Sequence, residues 1–325
     1  MSYKKIDFIP SSLLLKNGDI STIYPSLFRR PLPLSFSKEK IYLPDGDFLN
    51  LQWIKRDHKN LVILCHGLEG HAETSYIVGM INKLSSLCLD FLSWNYRSCG
   101  GEMNLTAKFY HMADTEDLSH VINYALSLNF YDKIILIGFS MGGNIICKYL
   151  SEREKLFPPQ IKLALTFSVA CDLTSTSLFL DTPRNKIYRH HLLTPLNKKV
   201  ILKKDLLAKA GIPLRNIKRS TTFRHFDDHF TAPLHGFQSA EDYWMKASTR
   251  PLLEKIHCPT YMVNAQDDPF LQPASFPIEE SKNHPFFHFR LLKYGGHVGF
   301  LTRLKKGEYF SEYFSFQKIN SLLSQ

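Results

Sequence analysis

The sequence predicts an α/β fold: a mostly parallel central sheet with helices on both faces and an inserted cap. Three observations carry this expectation. Runs that read as strands occur at residues 61–65, 89–94, 134–137, 161–169, 256–265 and 286–292, and the one at 134–137, short, apolar and rich in β-branched residues, reads as buried on both faces. The first four are separated by stretches of helical spacing, and such alternation gives a parallel sheet with its functional loops at the carboxyl ends of the strands. The run at 134–137 passes through Gly138-Phe139-Ser140-Met141-Gly142 directly into a helix in which Ile145, Ile146, Tyr149 and Leu150 recur on one face. Between about residues 172 and 248 the rhythm breaks and then resumes, which marks an insertion over the sheet edge and not a separate domain. All 325 residues are therefore read as a single domain.

Residues 1–40 read as an irregular arm interrupted by Pro25, Pro31 and Pro33. Residues 41–56 suggest a hairpin turning at Asp45-Gly46. A helix follows the strand at 61–65, over about 76–87, and Asp114 or Thr115 caps another that carries Leu118, Val121, Ile122 and Leu126. Within the insertion, 199–210 has helical spacing, and a last helix is expected over roughly 305–323.

With 44 % hydrophobic residues the chain can bury a large core, so global disorder is excluded. Six cysteines are scattered with no C-x-x-C pair, which points to buried free thiols in a reducing compartment and against a disulfide framework. The apolar segment at 13–15 is too short for a signal peptide, and no later run approaches the ~18 residues of a membrane span. A soluble, cytoplasmic protein is expected. The net charge is +10, with basic residues gathering between Arg184 and Arg219. They form either a solvated positive face or a surface for peripheral contact with anionic lipid or acidic substrates. No nucleic-acid motif accompanies them, so nucleic acid is not an expected partner.

A serine hydroxyl is a weak nucleophile at neutral pH and needs a base in hydrogen-bond reach, itself oriented by a third group. Ser140 lies in a strand–turn–helix context that exposes such a side chain. His297 follows two glycines after the last strand and is the expected base. Asp267, three residues after Asn264, is the expected acid. Asp268, before Pro269, is the alternative and could instead cap the next helix. Acyl transfer also needs donors to the developing oxyanion. The backbone N–H groups of Met141 and of Leu68, in His66-Gly67-Leu68-Glu69-Gly70, are the candidates. His225 and His229 could share a helix face, but no third ligand stands nearby. No metal and no cofactor is expected, and Asp227 and Asp228 should pair with Arg224 or a lysine. Phe179, Phe223, Phe226, Phe230 and Phe237 either line an acyl pocket or form the cap's core.

Taken together, 66–70, Asn95-Tyr96-Arg97, 138–144, 226–228, Ala232-Pro233-Leu234-His235-Gly236-Phe237, Asp267-Asp268-Pro269-Phe270 and 295–300 resemble the YheT-type α/β hydrolases over about residues 30–320. The resemblance implies the α/β-hydrolase fold and a serine hydrolase of carboxylic or lipid esters, with Ser140, Asp267 and His297 matching the family's triad. Eukaryotic relatives act on acyl esters and phospholipids, and some transfer acyl groups to alcohols. Acyltransferase or thioesterase chemistry at the same triad is thus one alternative. A non-catalytic binder of anionic lipid through the basic cap is another.

Overall fold

A computed structural model describes residues 10, 12–213, 219–302 and 308–324. The apolar runs form one eight-stranded sheet: β1 (Ser37–Tyr42), β2 (Phe48–Ile54), β3 (Asn60–Cys65), β4 (Asp90–Asn95), β5 (Lys133–Phe139), β6 (Ile161–Phe167), β7 (Thr260–Ala265) and β8 (Phe287–Leu292). Their order is β1-β2-β4-β3-β5-β6-β7-β8. The hairpin β1–β2 and the pair β2–β4 are antiparallel, and every other pair is parallel. Strand β5 lies in the middle with both faces covered. Ile134 and Leu136 enter one apolar core while Ile135 and Ile137 enter the other, which is why its residues form an unbroken apolar run rather than an alternating one.

The helices are α1 (Gly18–Phe28), α2 (Ser75–Leu84), α3 (Thr115–Ser127), α4 (Met141–Arg153), α5 (Leu173–Leu180), α6 (Lys186–Leu202), α7 (Lys204–Lys209), α8 (Phe223–Phe226), α9 (Ala232–His235), α10 (Ala240–Ala247), α11 (Ile278–Ser281) and α12 (Phe310–Leu323). On one face of the sheet α2 and α12 contribute Ile77, Met80, Phe310 and Phe314 to the core. On the other, α3 and α4 contribute Leu118, Val121, Ile145 and Ile146. Asp114 caps α3, its carboxylate accepting from the Asp117 N–H. Helices α5–α10 lie between β6 and β7 and carry a separate apolar cluster that includes Leu180, Leu193, Leu196, Phe226 and Phe230. The basic stretch of this segment includes 214–218, which lie outside the described residues.

The N-terminal arm departs from expectation. Residues 18–28 are helical, and the Asn17 side chain caps them by accepting from the Ile20 N–H. Pro25 removes one hydrogen bond inside the helix, but it is buried, and the next residue after the helix, Arg29, forms a buried ion pair with Glu312 and stacks on Tyr309 at 3.7 Å. These tertiary contacts hold the helix. The last helix starts at Phe310; the expected residues 305–307 lie outside the described ones. All six cysteines are free, and Cys88 alone among them is exposed. No helix among the described residues is long and apolar enough to cross a membrane.

Candidate active site

Strand β5 ends at Phe139 and α4 begins at Met141, so the chain reverses on Ser140 alone. Ser140 has φ 51° and ψ −117°, a conformation side-chain-bearing residues seldom adopt. Its N–H donates to the Phe167 carbonyl at 2.8 Å, which ties the strained turn to β6. The flanking glycines are required by close approach. A Cβ on Gly142 would lie 2.4 Å from the Cys65 carbonyl oxygen, and one on Gly138 would lie 2.5 Å from the Gly142 oxygen. Any larger residue would push α4 off the end of β3.

Ser140 Oγ is 2.9 Å from His297 Nε2, and His297 Nδ1 is 2.8 Å from Asp268 Oδ2. With Nδ1–H donated to the carboxylate, Nε2 is left unprotonated and accepts the Ser140 hydroxyl proton. The acid at the imidazole is therefore Asp268 and not Asp267, the residue expected from the sequence. The cause is local. The chain turns at the end of β7 with the Asp268 N–H donating to Ala265, and the two adjacent carboxylates diverge. Asp268 is buried and uses both oxygens, Oδ2 for His297 and Oδ1 to accept from the Phe270 N–H at 2.8 Å. It caps no helix: the next one, the short 3-10 turn Pro273–Ser275, has Gln272 at its N-cap. Asp267 instead accepts from the Gly296 N–H at 2.9 Å, and its Oδ2 is buried with no partner. Burial, with the charge of Asp268 beside it, raises the Asp267 carboxyl to about 6.

Three neighbours that the sequence reading missed hold the histidine. The His297 N–H donates to Thr22 Oγ1 at 2.8 Å, and Thr22 donates to the Gly18 carbonyl. The Val298 N–H donates to Ser168 Oγ at 2.9 Å, and the Phe270 ring stacks on the imidazole at 4.1 Å. Helix α1 reaches this loop because Gly296 and Gly299 admit it; their Cβ atoms would meet Gly18 O at 2.7 Å and Ser21 O at 2.1 Å. The signal for α1 was present in the spacing of Ile20, Ile23, Tyr24, Leu27 and Phe28.

The loop after β3 is equally fixed. His66 is buried, and burial lowers its pKa to about 3, so the ring is neutral. Its Nδ1–H donates to the Gly67 carbonyl, and Nε2 accepts from the Tyr96 N–H at 3.3 Å. The Gly67 N–H donates to Tyr76 Oη at 2.9 Å. Glu69, at φ 56°, pairs with Lys199 of α6 at 2.6 Å, accepts from the Tyr110 hydroxyl, and donates its N–H to Tyr110 Oη. Among the described residues neither the Leu68 nor the Met141 N–H has a hydrogen-bond partner. Both residues line the same cavity as Ser140.

That cavity has a volume of about 470 Å³ and runs from Ser140 and His297 beneath the β6–β7 insertion. Its wall is mostly apolar, including Leu173, Leu180, Leu196, Phe223, Phe226 and Phe270. Of the five phenylalanines singled out in the insertion, Phe223 and Phe226 line the cavity and Phe230 is core; Phe237 packs on Tyr243, and Phe179 lies outside the lining. The carboxylates of 227–228 do not pair with Arg224, which meets Glu241. Asp227 accepts from Thr231 and from the Trp244 Nε1–H at 2.7 Å, and Asp228 accepts from the Ala240 N–H. His225 and His229 stack on each other at 4.2 Å. No cluster of three metal-ligating side chains occurs among the described residues.

Comparison with known proteins agrees with this architecture. Residues 60–303 match the model of the alpha/beta hydrolase fold. Putative esterase YheT of Escherichia coli (strain K12) is 31 % identical over 302 residues, covering 91 % of this chain and 87 % of that protein. Human Phospholipase ABHD3 is 31 % identical over 287 residues, covering 85 % and 69 %. The Monoacylglycerol lipase of Saccharomyces cerevisiae is 26 % identical over 314 residues, covering 94 % and 65 %. Among solved structures, the Pyrococcus furiosus esterase Pf2001 superposes with a TM-score of 0.58 at 17 % identity, covering 88 % of this chain and 91 % of that one. The chain belongs to the α/β-hydrolase family, in its YheT-type branch.

Proposed function

We propose that the protein hydrolyses carboxylic esters with apolar acyl groups through an acyl-serine intermediate. The observation that carries this reading is the continuous chain from Ser140 through His297 to Asp268, at 2.9 and 2.8 Å, opening on an apolar cavity. As Ser140 Oγ attacks the ester carbonyl carbon, its proton passes to His297 Nε2. The imidazolium so formed is stabilised by Asp268, which stays ionised. The carbonyl π-electrons move to oxygen, where the N–H groups of Met141 and Leu68 are the free donors; one such donor contributes about 3–4 kcal/mol. Collapse of the tetrahedral intermediate breaks the bond to the alcohol oxygen, which takes the Nε2 proton and leaves. Water then repeats the sequence on the acyl-serine, releasing the acid and restoring Ser140.

The relatives named esterase, phospholipase and monoacylglycerol lipase support an ester or lipid substrate. The test is hydrolysis of p-nitrophenyl esters of graded chain length by wild type and Ser140→Ala. Each methylene buried is worth ~0.8 kcal/mol, so kcat/KM should rise up to about fourfold per methylene until the cavity is filled. Ser140→Ala should lose several orders of magnitude. Equal rates in the two proteins would refute the mechanism.

A further inference from the structure

Helix α1 is amphipathic, with its apolar side turned outward. Ile20, Ile23, Tyr24, Leu27 and Phe28 recur at i, i+3, i+4, i+7 and i+8, the spacing by which a surface helix normally buries a stripe against its own core. Here all five are exposed, by 38–61 %. The docked face instead carries Ser21, Thr22 and Pro25, small or polar groups packed against the His297 loop. Leu13 and Leu14 in the preceding turn and Leu32 after the helix extend the exposed apolar surface. Ile23 and Leu27 belong both to the stripe and to the cavity wall, so the stripe runs into the cavity mouth. From α6, Ile187 is 75 % exposed and lines the same cavity.

The charge around this rim is one-sided. Between residues 12 and 36 the sole acid is Asp19, and it is already engaged by Arg184 at 2.8 Å and the Tyr188 hydroxyl at 2.9 Å. Lys16 and Arg30 on the arm and Lys186 on α6 are exposed. Apolar side chains that would enter an acyl boundary, beside cations that would meet anionic headgroups, are the elements of an interfacial helix.

We propose that α1, with Leu13, Leu14 and Ile187, docks the protein on an anionic lipid bilayer and seats the cavity mouth on the leaflet. An acyl ester would then reach Ser140 without crossing water, a consequence that rests on the ester-hydrolase reading; the docking itself does not. The experiment uses the full chain and vesicles of phosphatidylcholine, alone or in equal parts with phosphatidylglycerol. Co-sedimentation is measured at low and raised salt, together with the oligomeric state in solution and hydrolysis of a short water-soluble ester. Wild type should bind the phosphatidylglycerol vesicles and lose binding as salt rises. The triple variant Ile20→Ser/Tyr24→Ser/Phe28→Ser alters exposed residues outside the cavity wall. It should bind at least about tenfold less while hydrolysing the short ester at the wild-type rate. A second variant, Lys16→Glu/Arg30→Glu, should bind phosphatidylglycerol vesicles no better than phosphatidylcholine ones. Wild type that ignores phosphatidylglycerol vesicles, or a triple variant that binds as wild type does, overturns the proposal. So does a wild-type dimer that the triple variant dissociates without vesicle binding in either protein, since the stripe would then cover a second copy. A wild type that does not dock yet shows Ser140-dependent ester hydrolysis refutes docking alone; a wild type that docks without any Ser140-dependent hydrolysis refutes the enzymatic reading alone.

Discussion

Replacing the two adjacent aspartates one at a time separates roles that differ by a single position. In Asp268→Asn the amide presents either an oxygen or an NH2 group to His297 Nδ1, in place of the Oδ2 now 2.8 Å away. The Phe270 N–H must still be accepted by the side chain's other atom, which calls for the amide oxygen there. The NH2 group therefore faces Nδ1 and donates to it. The proton then moves to Nε2, which can no longer accept from Ser140 Oγ. A base in the wrong tautomer costs about 10⁴ in kcat, or ~5 kcal/mol at 1.36 kcal/mol per decade. Asp267→Asn, in contrast, keeps an oxygen for the Gly296 N–H and touches neither ring nitrogen. Its kcat should stay within about tenfold of wild type. Steady-state hydrolysis of a p-nitrophenyl ester gives both numbers, and the labelling rate with a fluorophosphonate checks that Ser140 activation is what changed. An Asp268→Asn enzyme of near wild-type activity, or an Asp267→Asn enzyme as crippled as the other should be, would refute the assignment.

Thr22→Val removes the acceptor of the His297 N–H. Leaving that group unpaired costs about 1–3 kcal/mol, so kcat should fall roughly ten- to a hundredfold with KM little changed and with recovery in Thr22→Ser. The raised carboxyl of Asp267 makes a signed contribution to stability. Its folded pKa of about 6 exceeds the ordinary ~3.9, so its share of stability is present below pH ~4 and is lost as pH rises through 6. Urea midpoints across that window should decline less steeply in Asp267→Asn than in wild type; an unchanged slope would contradict the assignment. Lys199→Met leaves the Glu69 carboxylate buried without its cation, at a cost of about 3–5 kcal/mol, and Glu69→Gln in the same chain should restore much of that loss. Chemical denaturation of the single and double variants measures both.

Legibility in the sequence followed the range of the interactions involved. The strand order of chemistry was readable because periodicity and a tight strand–turn–helix are local, and Ser140 and His297 come together as their positions at strand ends imply. The Asp45-Gly46 hairpin and the Asp114 cap were readable for the same reason. The acid was not. Asp267 and Asp268 are chemically identical neighbours, and which one faces the imidazole depends on how the chain turns after Ala265 and on Gly296 claiming the other. Helix α1 was misread as an irregular arm because prolines dominated its local signal, while its partners, Glu312 and the His297 loop, lie at the far end of the chain. The carboxylates of 227–228 were assigned to a nearby arginine by charge alone; burial favoured the Trp244 N–H and Thr231 hydroxyl instead.

The contact between Thr22 and His297 joins positions 275 residues apart, and that between Arg29 and Glu312 joins positions 283 apart. During synthesis at roughly 5–20 residues per second, helix α1 would wait about 14–55 s for the loop it supports. Its apolar stripe is in the open throughout that interval, and its own segment is too short to persist as a helix unaided. Completion of the site therefore waits on distant segments: a nascent polypeptide carries Ser140 long before it carries His297, and the His297 loop is braced only once Thr22 of α1 reaches it. Helix α1, held by the His297 loop and, through Arg29, by Glu312, acts as a clasp that closes after both segments are made.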